Sequence, residues 1–516
     1  DTRILYIKIL KLYPIFKRNL AHVCRLKPYK DTKWLMPNGN PVGVYVYNCV
    51  AQEKVPIILN DPKIATWYSC GPTVYDSAHI GHASCYVKLD IIQRILKSFF
   101  DIKLVTAMGI TDIDDKIIKK SNDTQTDFRT VAKKFEHEFW VDMVALNVEK
   151  PMIITRVSEH IENIKSFVED LVNTEMAYAA DDGSVYFDTS KYSSYGKLQK
   201  MQDSGEASSD SKKNKMDFAL WKGSKPGEPS WKTKWGEGRP GWHIECSAMV
   251  SKVFGSQLDF HAGGIDLQFP HHENEEAQSC AYHNTTQWAN YWMHIGHLIL
   301  KDTKMSKSLQ NTISIPSLLE TYNADTFRMA CLMSKYRYSM EYNDEMMKSA
   351  EDVFNKFKFF FKDVEVYINS NVERTAEYND NLLNELHVVE EKNLDALRQD
   401  FNTSSCINSL LNLIGNANKV MKSESSNFSP VPILLIADYI YNTLTKFGLK
   451  FQDSKENISS SLIDVLVDFR HTVRLNAIEN KNKDLLKACD LVRDKMKTAK
   501  VQINDSKKTP SWVYVK

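Results

Sequence analysis

Ile64-Ala65-Thr66-Trp67-Tyr68-Ser69-Cys70-Gly71-Pro72-Thr73-Val74-Tyr75-Asp76-Ser77-Ala78-His79-Ile80-Gly81-His82 is the stretch from which the fold is read. Residues 64–70 are short in span, apolar and rich in β-formers, so they read as a strand. Gly71 and Pro72 break it, and a helical pattern follows over about 78–99. The alternation repeats, with a second strand over 103–108, a turn-rich stretch and a helix over 128–146. Strands alternating with helices predict an α/β fold with a doubly wound, Rossmann-like parallel sheet. Ligands in such sheets sit at the carboxyl ends of the strands. Cys70 and residues 109–115 therefore lie where a site is expected.

Outward from this stretch the chain runs to 516 residues with a net charge of +1. That length predicts two to four domains. The near-zero charge gives no global attraction for nucleic acid and leaves only local patches to consider. The first 34 residues carry nine Lys or Arg against Asp1 and Asp31, interleaved with Ile, Leu, Tyr and Phe. A basic, acid-poor, amphipathic start predicts a mitochondrial presequence or basic extension over 1–43. Residues 44–300 read as the catalytic domain, with an insertion over about 180–240. Within the insertion, residues 203–215 (DSGEASSDSKKNK) read as a flexible loop. Residues 291–300 read as one buried strand. From 344 glycine nearly disappears and apolar residues recur at helical spacing to about 500, predicting an all-α region over 344–459. A small terminal element follows over 460–516. Nine scattered cysteines in so long a chain do not read as a disulfide framework. No apolar run reaches the roughly 18–20 residues that span a bilayer, so no membrane association is expected.

Two short motifs carry phosphate chemistry. His79-Ile80-Gly81-His82 opens a helix directly after a strand. There glycine lets the backbone approach, the helix dipole favours negative charge, and imidazoles can donate to phosphate oxygens. Lys304-Met305-Ser306-Lys307-Ser308 follows the strand expected at 291–300. Its lysines can neutralise charge that develops as pyrophosphate leaves. Each motif alone has an ordinary reading, a capped helix start and a basic surface loop. Together, in this order and a few hundred residues apart, they resemble the signature of the class I aminoacyl-tRNA synthetases.

A third constellation bears on the substrate. Cys70 closes the first strand, Cys246 lies in Gly241-Trp242-His243-Ile244-Glu245-Cys246, and His271 and Glu275 lie in Phe269-Pro270-His271-His272-Glu273-Asn274-Glu275. Two soft thiolates, an imidazole and a carboxylate make a plausible zinc set. His271 and Glu275, four apart, share a face if the segment is helical. Singly these residues read as a small buried hydrophobe or a satisfied polar group.

These stretches, with the one around Cys70 and with Gly109-Ile110-Thr111-Asp112-Ile113-Asp114-Asp115, resemble the hallmark segments of cysteinyl-tRNA synthetases. The resemblance runs from about residue 44 to the C-terminus and is looser at the far end. It implies zinc held by Cys70, Cys246, His271 and Glu275. It further implies substrate contacts from Cys70, Gly71, Thr111, Trp242, Asp266 and His271, and ATP contacts from His79, Gly81, His82, Lys304 and Lys307. Arg493, Trp512 and Tyr514, in a tail with ten Lys or Arg against four Asp, are candidates for tRNA contact. One departure from the family pattern is Gln310, where many members carry Gly.

The activity implied is ligation of L-cysteine to tRNA(Cys) with ATP, through cysteinyl-adenylate, by a monomer in the mitochondrial matrix. Mg²⁺ accompanies ATP. An apolar pocket separates near-isosteres such as cysteine and serine by only about 10–200-fold, whereas a thiolate is much the better zinc ligand. No editing domain is therefore expected. Two rivals are a ligase that transfers cysteine to a small amine, against which the long helical region argues, and a tRNA-binding pseudoenzyme. Some family members are credited with persulfide formation using pyridoxal phosphate, through lysines at 116–119 and 304–307. That cofactor belongs only to this side activity.

Overall fold

The computed structural model describes residues 34–199, 211–300, 303–304, 312–370, 374–423, 428–451, 459–506 and 509–515. Residues 1–33 of the expected presequence, most of the expected flexible loop, and Lys307 lie outside them. Lys304 is described only as part of a strand.

A hairpin of β1 (Asn40–Asn48) and β2 (Glu53–Leu59) leads into the core. Then follow β3 (Ile64–Thr73), α1 (Ile80–Phe99), β4 (Lys103–Thr111), α2 (Asp115–Thr124), α3 (Phe128–Ala145), β5 (Ile153–Arg156) and α4 (Ile161–Asn173). An antiparallel sheet is inserted next. It comprises β6 (Ala177–Ala179), β7 (Val185–Phe187), β8 (Phe218–Gly223), β9 (Trp231–Thr233) and β10 (Gly236–Pro240), in the order β6-β7-β8-β10-β9. The chain returns to the core through α5 (Trp242–Phe254), β11 (Leu258–Gly264), α6 (Glu273–His283) and β12 (Ala289–Ile295).

The core sheet runs β12-β11-β3-β4-β5 with every pair parallel. A parallel sheet covered on both faces needs continuous apolar strands, which is why β3 carries buried residues in succession. Trp67 joins the core that holds Ile80, Val87, Ile91 and Ile95 of α1. Its neighbour Tyr68 joins the opposite core, with Ile161 and Phe167 of α4 and Ile244 and Met249 of α5. The sheet is thus wound on both sides, as the alternation of elements predicts. Centrality of β3 puts its carboxyl end, at Cys70, in the middle of the sheet edge.

The single strand expected over 291–300 is two. β12 ends at Ile295, and β13 (Leu298–Leu300) belongs to a different sheet with β14 (Thr303–Lys304) and β15 (Met340–Glu341). The backbone N–H of Gly296 donates to the Tyr336 carbonyl, so the chain leaves the core sheet there. Between β14 and β15 stand α7 (Ile315–Thr321) and α8 (Ala324–Met333).

From Asp344 the chain is helical, in α9 (Asp344–Asn369), α10 (Asp380–Arg398), α11 (Thr403–Lys422), α12 (Val431–Lys446), α13 (Ser459–Glu479) and α14 (Lys483–Thr498). Asn343, Asn379, Asn402 and Asn482 start four of these by accepting an N–H of the first turn, a preferred N-cap role. The chain ends in the hairpin of β16 (Val501–Asn504) and β17 (Ser511–Tyr514). Among the described residues no helix is long and apolar enough to cross a membrane.

Candidate active site

At the carboxyl edge of the core sheet lies a cavity of about 360 Å³. Cys70, Gly71, His79, Gly81, His82, Trp242 and Asp266 line it, together with Lys116, Cys85, Tyr86 and His297. Of the expected substrate contacts Thr111 does not line it. Its buried hydroxyl donates to Glu245 Oε2 at 3.2 Å. His271 lies just beneath, with its ring stacked on Trp242 at 4.3 Å between centroids. Asp266 stands 4.0 Å from His297 across the opening.

At one end of the cavity α1 begins. His79 is its N-cap and accepts from the Gly81 N–H at 3.1 Å through Nδ1. His82 in turn accepts the His79 N–H through its own Nδ1 at 3.2 Å. The two imidazoles therefore build the helix end reciprocally, in the manner of a capping box. Both rings line the cavity at the positive end of the helix, which suits an anion.

At the other end three segments that are apart in sequence meet. Cys70 comes from the end of β3, Cys246 from the second turn of α5, and His271 and Glu275 from the turn into and first turn of α6. One ligand atom from each lies within 4.8 Å of the others, and all four residues are buried. The sulfurs are 3.8 Å apart, and His271 Nε2 is 3.0 Å from Glu275 Oε1. Beside Cys70, Gly71 lets β3 close on β4, because a Cβ there would lie 2.1 Å from the Gly109 carbonyl oxygen.

The electrostatics divide the four into donors of opposite character. The Cys246 thiol is lowered to about 6, chiefly by its hydrogen bond with Cys70. The Cys70 thiol is pushed well up, first by burial and then by Cys246. Burial alone would raise Glu275, yet His261 and His271 outweigh it and hold the carboxyl at about 2. Burial would likewise lower His271, but Glu275 and Cys246 lift it to about 10. A cluster of this kind holds two anions at neutral pH and stands ready to trade protons for a cation.

The donor set fits zinc. Tetrahedral bonds of about 2.3 Å set two sulfurs about 3.8 Å apart, which is the Cys70–Cys246 spacing. The outer partners that orient such ligands are present as well. His243 Nδ1 meets His271 Nδ1 at 3.0 Å, and His261 Nε2 meets Glu275 Oε2 at 2.9 Å. His272 stacks nearby, 3.5 Å from the Cys70 sulfur and 2.9 Å from His294. Cys70, His261, His272 and Glu275 form a second close group that shares two members with the first.

Sequence reasoning missed His243, His261, His294 and Glu245. His261 and His294 sit in strands β11 and β12 among apolar residues. Only their position near strand carboxyl ends could have singled them out. Of the residues suggested for tRNA contact, Arg493 is half exposed and paired with Asp490, Asp494 and Asp505. Trp512 is buried in a small core with Val467, Met496, Val501 and Ile503, and its indole N–H donates to Asp464. Packed in this way, Trp512 leaves little exposed surface for the suggested tRNA contact. Tyr514 meets Trp512 edge-on at 5.1 Å.

Residues 57–352 match the family described as tRNA synthetases class I (C) catalytic domain. The chain is 39% identical to a probable mitochondrial cysteine–tRNA ligase of Xenopus tropicalis, with 93% of this chain and 91% of that protein covered. It is 38% identical to a cytoplasmic cysteine–tRNA ligase of Dictyostelium discoideum, covering 95% of this chain and 80% of that one. Methionyl-tRNA synthetase of Mycobacterium tuberculosis, solved with methionyl-adenylate, shares the fold at a TM-score of 0.55 and 14% identity, over 75% of this chain and 90% of that one. The similarity extends through catalytic half and helical region alike, and the chain belongs to the cysteine–tRNA ligase family of class I aminoacyl-tRNA synthetases.

Proposed function

We propose that this protein is a zinc-dependent cysteine–tRNA ligase of mitochondria, joining L-cysteine to tRNA(Cys) with ATP and Mg²⁺ through cysteinyl-adenylate. The observation that carries the reading is the buried quartet of Cys70, Cys246, His271 and Glu275, set beneath a cavity whose far end is a histidine-capped helix N-terminus. These four residues would hold the zinc. When bound, the ion supplies a soft Lewis acid that prefers a thiolate to a hydroxyl. Trp242 and Gly71 then bound the amino-acid end, and Asp266 offers a carboxylate for its ammonium group.

The start of α1, with His79, Gly81 and His82, holds the triphosphate. Lys304 and Lys307 stabilise the charge that leaves with pyrophosphate. The attack on the α-phosphate needs no protein nucleophile, so positioning and charge neutralisation carry it. The helical region from Asp344 holds the tRNA, and residues 460–516 meet its anticodon end. Mitochondrial location is supported by the basic first 33 residues and by similarity to relatives named mitochondrial in Xenopus and Dictyostelium.

ATP–pyrophosphate exchange with each amino acid, on protein of measured zinc content, tests the reading. Exchange with cysteine alone is expected. Comparable exchange with serine would sink zinc selection, and none with any amino acid would leave a pseudoenzyme. A fusion of residues 1–43 to a fluorescent reporter tests the location, with mitochondrial import expected.

A further inference from the structure

Away from the cavity, one buried guanidinium joins four parts of the chain. Arg328 lies on α8 and its side chain is fully buried. Nη1 donates to the Asp90 carboxylate of α1 at 2.6 Å and to the Phe447 carbonyl at 3.2 Å. Nη2 donates to the carbonyls of Leu146 at 3.1 Å and Asn147 at 2.7 Å. Leu146 and Phe447 are the C-cap residues of α3 and α12. Helix C-termini leave carbonyls without intrahelical donors and carry partial negative charge. A single cation therefore closes one helix of the nucleotide-binding half and one of the helical region, while Asp90 balances its charge.

Other contacts brace the same junction. Arg94 donates to Asp90 at 2.8 Å and to the Asn147 carbonyl at 3.2 Å. Asn147 Nδ2 donates to the Gly448 carbonyl at 2.5 Å. Gly448 has φ +89°, and a Cβ there would come within 2.8 Å of Arg328 Nη1, so the backbone closes directly on the guanidinium. Asp90 stands about three turns beyond His79 on the same stiff helix.

We infer that Arg328 is a positioning residue that fixes the helical region against α1, so that tRNA held by the helices brings its acceptor end into register with the adenylate. The inference rests on the ligase reading above. Arg328 is not among the residues lining the cavity and acts through Asp90 and the two helix ends. Lysine cannot replace it, because one ammonium cannot reach acceptors on both sides of a planar fork.

The test uses the full chain with Arg328→Lys and, separately, Asn147→Gly. The latter removes only the bond to Gly448 and accepts the φ of +57° at that position. Cysteine-dependent ATP–pyrophosphate exchange and aminoacylation of a tRNA(Cys) transcript are compared well below the melting temperature. Exchange within about 3-fold of the unaltered protein is expected for both, with aminoacylation kcat lowered about 10–100-fold by Arg328→Lys and about 3–10-fold by Asn147→Gly. Equal loss in the two reactions, loss carried by KM for tRNA alone, or no loss overturns the inference. Should Arg328→Lys fail to fold, Asn147→Gly decides in the same way. Absence of exchange in the unaltered protein overturns instead the ligase reading.

Discussion

The two ends of the cavity are built in opposite ways. The phosphate end is local, because four consecutive residues cap one helix and two of them cap it with their own side chains. The thiol end is assembled from β3, α5 and α6, whose donors are up to 205 residues apart in sequence. The first needs one helix and one outside partner, the Ile313 carbonyl that accepts the Ile80 N–H. The second needs the whole parallel sheet, because Cys70 and His261 reach the cluster only if β3 and β11 pair in register. A local motif tolerates change elsewhere, whereas a convergent one reports on the integrity of the fold. Substitutions at each end should therefore separate binding from chemistry in different proportions.

The largest effect is expected at the thiol end. Cys246→Ala removes a low-lying thiol and should abolish zinc retention and lower cysteine activation by at least about 10³-fold. Metal analysis together with pyrophosphate exchange checks both, and an active, zinc-free variant would break the comparison. At the phosphate end His79→Asn keeps a good N-cap and shortens the reach of the side chain. Exchange should fall about 10²-fold with zinc content unchanged. Loss of zinc in that variant would mean the ends are not independent.

Trp242 borders both ends and stacks on His271. Trp242→Ala should raise KM for cysteine about 10-fold and leave KM for ATP within about 2-fold, as steady-state kinetics will show. The smallest effect calibrates the rest. Asp142 on α3 belongs to neither end. Burial, and then Glu138, push its carboxyl up to about 6. The folded state therefore binds this proton more tightly than the unfolded chain, and stability falls as pH rises from about 4 to 6. Asp142→Asn should raise stability by about 1 kcal/mol above pH 6, and not at all at pH 4, with catalysis unaltered. Thermal melts across that range test the sign.

The same contrast explains what could be read from the sequence. The alternation of strand and helix around residues 64–108 is a local pattern, so the α/β class was legible, and so was the change to helices at 344. The histidine-glycine-histidine turn was legible for the same reason. Cys70, Cys246, His271 and Glu275 are ordinary residues one at a time. Only family resemblance grouped them, and the structure brings their ligand atoms together. His261 had only its place in an apolar strand, and His243 only its nearness to Cys246, since their partners arrive from other elements. The departure of the chain from the core sheet at Gly296 depends on the Tyr336 carbonyl forty residues on. An aromatic residue in a basic tail, as Trp512 is, cannot reveal from sequence the small core that encloses it.

The reciprocal cap at the start of α1 also settles where two protons reside. His79 and His82 each use Nδ1 as an acceptor for a backbone N–H. A neutral imidazole that accepts at Nδ1 must carry its hydrogen on Nε2. The backbone thus selects the tautomer of both rings, and each carries an Nε2–H to donate without first binding a proton. In the proposed ligase reading, that hydrogen is the one each ring offers to a phosphate oxygen.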